Sequence, residues 1–191
     1  MHSLTDKFNE LRQRLKAGIS SMKHTGFDPV YYVVFPADEI IQAKLALPQF
    51  LAQLRLDGFK PSTLSLSKLL NDWFRSHKLR KIWQQGLANE DNDHAVFQRT
   101  FSERLDKDQV FSNAILQQID TLGTDPKAVL VLTDLEALHP FLHISGIEQQ
   151  LTGKFKIPTV VLYPGTRGGS HSLRFLGIHR ENGNYRSIHI G

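Results

Sequence analysis

The sequence contains no cysteine among its 191 residues. Disulfide frameworks, iron–sulfur clusters, thiolate zinc sites and cysteine nucleophiles are therefore excluded. Long apolar runs are also missing: the longest, Val30–Phe35 and residues 128–132, fall far short of the roughly 20 residues that a membrane-spanning helix needs. The N-terminus lacks the charged and apolar regions of a signal peptide. We therefore expect a cytoplasmic protein that makes no membrane contact.

The formal net charge is +4, but this charge is unevenly distributed. Residues 153–191 contain six basic residues and one acidic residue, whereas residues 1–152 contain 17 basic and 18 acidic residues. The whole positive excess therefore lies in the last fifth of the chain. A localised excess of this kind predicts a basic surface that meets an acidic partner or phosphate groups.

Apolar segments of strand length alternate with amphipathic stretches of helical length. The predicted strands include Val30–Phe35, Ala128–Thr133 and residues 157–163, and their lack of polar alternation is typical of strands buried on both faces. Helices are predicted over residues 4–18, 38–57, 68–83, 94–105 and 108–122, and in a short stretch that a capping box opens at Ser145. This order predicts one α/β domain over residues 1–191. Its sheet is layered and mostly parallel, with helices on both faces, in a P-loop-NTPase-like or Rossmann-like arrangement without a phosphate loop.

The C-terminal segment has a different character. Residues 172–179 and 184–190 are strand-like, and Asn182-Gly183 lies between them. This dipeptide is typical of a type I′ turn, in which both central positions need positive φ. We therefore expect an antiparallel β-hairpin at one edge of the sheet.

Two arginines share strand faces with aliphatic residues in this segment. Strand alternation places Arg174 on the face of Leu176, and Arg186 on the face of Ile188. An arginine in such a position either pairs internally, for example with Asp134, or meets an acidic surface of a partner.

A glycine-rich stretch follows the third predicted strand, with the sequence Tyr163-Pro164-Gly165-Thr166-Arg167-Gly168-Gly169-Ser170. Loops at the carboxyl ends of parallel strands are where α/β sheets bind ligands. Free backbone amides together with Arg167 are suited to an anion. The stretch is not a P-loop, because it has neither the lysine nor the following helix. A tight turn whose glycines serve only backbone geometry is the alternative.

Asp134 directly follows the strand Ala128–Thr133, and Glu136 lies two residues further on. An aspartate in this position holds magnesium in nucleotide hydrolases, so these acids and residues 165–170 suggest a nucleotide-binding or hydrolysing protein. A helix N-cap is the alternative role for Asp134. Neither His-Glu-x-x-His nor Gly-x-Ser-x-Gly occurs, and the nine histidines favour surface or packing roles. We therefore expect no catalytic residues, metal site or cofactor.

A basic run lies between residues 75 and 81. Its members include Arg75, Lys78, Arg80 and Lys81. Such a run can contact phosphates while neighbouring aromatic residues, here Trp73 and Trp83, stack on bases. The alternative is a solvated helix face whose aromatic residues point into the core.

Three segments of the C-terminal third form a recognisable pattern. They are Thr159-Val-Val-Leu-Tyr-Pro-Gly-Thr166, Ser172-Leu-Arg-Phe-Leu-Gly177 and Asn184-Tyr-Arg-Ser-Ile-His-Ile190. Together with Leu132-Thr-Asp-Leu-Glu-Ala-Leu-His-Pro-Phe141, they resemble the BrxB family of BREX bacteriophage-exclusion systems, formerly a domain of unknown function. The family's characteristic positions are occupied by Tyr163, Pro164, Gly165, Arg174, Asn184, Tyr185 and Arg186.

This resemblance implies a small cytoplasmic component of a multi-protein antiviral system. Its companions include the alkaline-phosphatase-like protein PglZ, the BrxC ATPase and a DNA methyltransferase, and the family brings no established catalytic residues. We therefore expect a non-catalytic adaptor that docks on other BREX proteins, PglZ first, through a surface that includes the basic C-terminal region. Weak nucleic-acid binding is a further possibility, and the oligomeric state is left open.

Overall fold

The structure, a computed structural model, describes residues 3–18, 28–87, 94–168, 172–179 and 187–191. The strands are β1 (Val30–Phe35), β2 (Lys60–Ser65), β3 (Ala128–Thr133), β4 (Thr159–Arg167), β5 (Leu173–Phe175) and β6 (Ile188–Ile190). The α-helices are α1 (Leu4–Ala17), α2 (Ile40–Leu56), α3 (Leu66–Ser76), α4 (Arg80–Leu87), α5 (His94–Lys107), α6 (Val110–Leu122) and α7 (Ile144–Leu151). Two 3₁₀ helices cover Ala37–Glu39 and Leu135–Leu138.

Five of the six strands of the sheet follow the order β2-β3-β4-β1-β6. All neighbours in this order are parallel, and β5 adds an antiparallel strand to the last three residues of β4. Every residue of β1 and β3 is buried, as expected for central strands covered on both faces. The predicted α/β class with a mostly parallel sheet is therefore confirmed.

Helices cover both faces of the sheet. In β1, Tyr31 and Val33 point toward the core formed with α1 and α2, whereas Tyr32 and Val34 point toward the core formed with α3 to α7. Successive strand side chains alternate between faces, so one apolar strand supplies both cores. Within the described ranges no helix is long and apolar enough to cross a membrane.

The structure does not confirm the predicted C-terminal hairpin. β5 pairs with Gly165, Thr166 and Arg167 of β4, whereas β6 lies parallel to β1. The Asn182-Gly183 turn lies outside the described residues. A turn signal is local, but the position of a strand is set by where its apolar side chains are buried. Ile190 is fully buried in the core on the side of α1 and α2, and this burial favours the edge beside β1.

Two helix predictions need correction. The single helix predicted over residues 68–83 is divided into α3 and α4, because His77 is extended and its Nδ1 accepts a hydrogen bond of 3.1 Å from the backbone amide of Leu79. The capping box predicted at Ser145 is also wrong, since the N-cap residue of α7 is His143, two residues earlier. Both departures depend on neighbours that periodicity does not show.

Candidate functional site

Asp134 lies at the carboxyl edge of the sheet, in a network of hydrogen bonds. Its carboxylate accepts hydrogen bonds from Lys44 Nζ at 2.7 Å, Ser65 Oγ at 2.5 Å and Thr133 Oγ1 at 3.0 Å. Lys44 also pairs with Glu136 at 2.6 Å. Burial opposes ionisation of Asp134, but these hydrogen bonds outweigh it and hold its pKa below the ordinary value. These two carboxylates raise the pKa of Lys44, so the network holds a charged lysine between Asp134 and Glu136.

The Asp134 side chain has no capping role. The residue occupies the N-cap position of the 3₁₀ helix Leu135–Leu138 in a left-handed conformation with φ of 59°, yet its side chain makes no capping hydrogen bond. The predicted N-cap position is therefore confirmed, but the carboxylate does not act as the cap. The carboxylate instead ties β3 to β2 through Ser65 and to α2 through Lys44.

The cavity beside this network is too small for a nucleotide. Its volume is about 100 Å³, and Phe35, Leu47 and Leu162 contribute apolar lining next to Lys44 and Asp134. Pockets that bury small organic ligands usually enclose roughly 300–1,000 Å³. The geometry therefore favours an internal structural network over a magnesium–nucleotide site.

The turn between β1 and α2 also does not suit phosphate. A phosphate loop places glycine amides between a strand and a helix N-terminus. Here the chain passes through Pro36 and the 3₁₀ helix Ala37–Glu39, which contains no glycine and has two acids, Asp38 and Glu39. Their negative charge at the start of α2 would repel a phosphate group.

Tyr163, Pro164 and Gly165 lie in β4 at the point where its pairing with β5 begins. Tyr163 is buried, and its ring makes an edge contact with Tyr32 at 5.6 Å and a tilted contact with Phe175 at 5.5 Å. The carbonyl oxygen of Pro164 accepts a hydrogen bond from the amide of Leu176 at 2.9 Å. This stretch is therefore ordered strand rather than an open glycine loop, and Gly169 and Ser170 lie outside the described residues.

Gly165 is explained by close packing of two backbones. A Cβ atom at this position would lie 2.7 Å from Cε1 of Tyr163, 3.2 Å from the carbonyl carbon of Arg174, and closer still to its carbonyl oxygen. Only glycine lets β5 approach β4 this closely. Of the two interpretations of the glycine-rich stretch, the structure favours the backbone role at Gly165.

Arg167 and Arg174 are both exposed, but they differ in their surroundings. Arg167 Nη1 donates a hydrogen bond of 2.5 Å to the carbonyl oxygen of Gly191, which connects the end of β4 to the end of the β6 segment. Arg174 lies between Leu173 and Phe175, both of which are buried. Asp134, the proposed internal partner, pairs with Lys44 instead. The other members of the predicted surface, Asn184, Tyr185 and Arg186, lie outside the described residues.

The basic run divides between the end of α3 and the start of α4. Its four predicted contact residues, Arg75, Lys78, Arg80 and Lys81, are all exposed. The aromatic residues beside them point inward, with ring centroids of Trp73 and Trp83 5.5 Å apart and Phe101 packed on both. They are therefore core residues, and base stacking by them is not supported.

Three histidines that the sequence did not connect meet near the end of β5. His179 Nε2 lies 2.8 Å from His139 Nδ1, and the His143 ring stands perpendicular to His179 with centroids 4.8 Å apart. Burial, followed by the charges of His143 and His139, lowers the pKa of His179. In the described part of the chain, no group of three potential ligands is arranged to hold a metal ion. The three rings contact one another, and in the sequence only the spacing of His139 and His143 hinted at the cluster.

A partly buried tyrosine–carboxylate pair was also missed. The hydroxyl of Tyr32 donates a hydrogen bond of 2.9 Å to Glu148 Oε2. Burial raises the pKa of Glu148 to about 7, and the nearby charge of Asp28 acts in the same direction, although the bond from Tyr32 opposes it. The apolar strand pattern around Tyr32 gave no sign of this contact.

These features define a mostly parallel α/β protein in which Tyr163 and Gly165 hold β5 against β4. The chain belongs to the BrxB family: the family described as BREX protein BrxB matches residues 62–190, more than half of the chain. It is therefore a component of a BREX system for defence against bacteriophage, with partners among the other BREX proteins. No curated protein and no solved structure matches the chain.

Proposed function

We propose that this protein is a non-catalytic adaptor of its BREX system, with residues 1–191 acting as one unit that docks on PglZ. The observation that carries the proposal is the presentation of Arg174. This side chain is exposed while both of its neighbours in β5 are buried. The short strand is therefore anchored, and it fixes the backbone position of Arg174. A fixed backbone reduces the conformational entropy that is lost on binding. Arginine is also enriched among the residues that supply most of the binding energy of interfaces.

The surrounding motif residues support this arginine. Tyr163 and Gly165 hold β5 against β4 through ring packing and close backbone approach. In the proposal, Arg167, Asn184, Tyr185 and Arg186 extend the surface around Arg174. The concentration of positive charge in residues 153–191 agrees with an acidic docking surface on the partner. BrxC and the methyltransferase are further partners of the same surface.

Charge reversal tests the proposal directly. Tagged chain is co-purified with PglZ, and the variant Arg174→Glu with Arg186→Glu is expected to lose PglZ while keeping its circular dichroism spectrum. Arg75→Glu with Arg80→Glu is the matched control, because it makes the same charge change on another exposed surface. Retention of PglZ by the first variant, or equal loss in both, contradicts the proposed surface.

Nucleic-acid contact is a second candidate function, because four exposed basic residues lie at the junction of α3 and α4. Because the neighbouring aromatic residues lie in the core, these basic side chains can supply only phosphate contacts. Binding of fluorescent duplex DNA should therefore fall steeply with salt and be reduced in Arg75→Glu with Arg80→Glu. Binding that is absent at low salt, or that this variant leaves unchanged, contradicts the candidate.

A further inference from the structure

The outer face of α2 carries an apolar stripe. Ile41, Leu45 and Leu56 are 64%, 76% and 86% exposed, and Pro48 and Ala52 are exposed between them. Their spacing of three and four residues puts all five on one side of the helix. Isolated exposed aliphatic residues are ordinary, but these share a single line of about 22 Å, at 1.5 Å per residue.

This stripe lies opposite the face of α2 that packs on the sheet. Ala43, Phe50 and Leu54 form the inner face and are buried. A surface helix normally has one apolar face and one polar face, whereas a helix that is apolar on opposite sides is covered on both. The outer face of α2 therefore has the composition of a contact surface.

Opposite charges stand at the two ends of the stripe. Asp38 precedes α2, and Arg55 lies in its last turn. Both are exposed, and neither forms an ion pair with another residue of the described ranges. An antiparallel copy of the same helix would bring each acid toward the arginine of the other copy.

The stripe is also complementary to itself in size. Its centre falls between Pro48 and Gln49, so a twofold axis at that point places Ile41 opposite Leu56. The same axis places Leu45 opposite Ala52, a large side chain against a small one. Twofold dimers use one patch on both subunits, and such a patch must match its own inverted copy.

We propose that α2 binds the α2 helix of a second copy of this chain, antiparallel, in a twofold dimer. The apolar stripe forms the centre of this interface, and Asp38 and Arg55 fix the direction of the helices. The surface is separate from Arg174 on β5, so the dimer does not depend on docking to PglZ.

Sedimentation equilibrium of the full chain over a concentration series tests the dimer. The unmodified chain is expected to dimerise. Leu45→Glu is expected to raise the dissociation constant of the dimer at least about 100-fold, because the leucine is lost from both copies. Ile82→Glu is the control, since Ile82 is 62% exposed on α4, away from this face. Circular dichroism verifies that each variant is folded.

A charge exchange tests the orientation. Arg55→Glu is expected to weaken the dimer, and adding Asp38→Arg to restore it. A chain that stays monomeric up to about 1 mM overturns the proposal, as does a dimer that Leu45→Glu leaves intact. Failure of the charge exchange to restore association overturns the antiparallel arrangement. Loss of PglZ rather than of self-association in Leu45→Glu assigns the face to that partner and also overturns the dimer.

Discussion

Replacement of Gly165 by alanine tests whether this motif glycine serves the strand pairing or a ligand. The added Cβ would lie 2.7 Å from a ring carbon of Tyr163, whereas ordinary van der Waals contact begins at about 3.4 Å. It would also overlap the backbone of Arg174 in β5. Because a backbone cannot rotate away as a flexible side chain can, either the two strands separate or β5 detaches.

The structure sets limits on the cost of the substitution. If the strands shift and stay paired, overpacking costs about 1–3 kcal/mol. If β5 detaches, Leu173 and Phe175, now 0% and 5% exposed, lose their burial, at about 1.5–3 kcal/mol each. We therefore expect the free energy of unfolding to fall by about 1–3 kcal/mol, with a ceiling of about 6 kcal/mol if both side chains are released.

Equilibrium urea denaturation, followed by the fluorescence of Trp73 and Trp83, measures this change. Gly146→Ala is the matched control, because a Cβ there meets no atom within 4 Å and the residue lies in α7. Alanine in a helix is favoured over glycine, so the control should keep or gain up to about 1 kcal/mol. A Gly165→Ala protein within about 0.5 kcal/mol of the unmodified chain would refute the packing explanation.

Three further predictions concern the internal polar contacts. The unmodified chain should lose stability on the order of 3 kcal/mol as pH rises from 4.5 to about 7, because the folded protein holds the proton of Glu148 more tightly than the unfolded chain does. Glu148→Gln should remove this loss. Denaturation midpoints across this pH range measure the effect, and equal pH dependence in both proteins contradicts it. The lowered pKa of His179 has the opposite effect on stability, because here the unfolded chain binds the proton more tightly. Stability should therefore fall as pH drops below 6.5, and less steeply in His179→Phe. A titration of the imidazole protons that shows no lowered pKa refutes this. Lys44→Met should cost about 1 kcal/mol, discounted because the lysine is 48% exposed, and Asp134→Asn should reduce that cost in a double-mutant cycle; additive effects would show that the pair is not coupled.

Some local features followed directly from the order of residues. The capping box that joins Ser3 and Asp6 at the start of α1 is formed in both directions, because its partners are three residues apart. The strands β1 and β3 have the bounds expected from their apolar runs, since a segment without polar alternation is stable only where both faces are covered. Alternation also put Arg174 and Phe175 on opposite faces of β5, although only the structure shows that Arg174 is the exposed one.

Other features could not be predicted from local patterns. The Asn182-Gly183 signal suggested that the two C-terminal strands pair with each other, whereas β6 lies beside β1. Asp134 read as a helix cap because the sequence does not show that Lys44 of α2 reaches the same edge of the sheet. In both cases a nearby signal competed with a contact between distant segments. Burial of Ile190 decided the position of β6, whereas the ion pair with Lys44 decided the role of Asp134.

The sequence by itself determined the composition limits, the layered α/β class, the location of the positive charge and the family pattern. These properties depend on residue types and on their spacing over a few positions. The tertiary structure alone decided the strand order and which buried polar groups meet. Tyr32 and Glu148 are 116 residues apart, and His139 and His179 are 40 apart, yet each pair forms a contact shorter than 3 Å. Periodicity reports that a side chain is buried, but only chain topology determines the partner it is buried against.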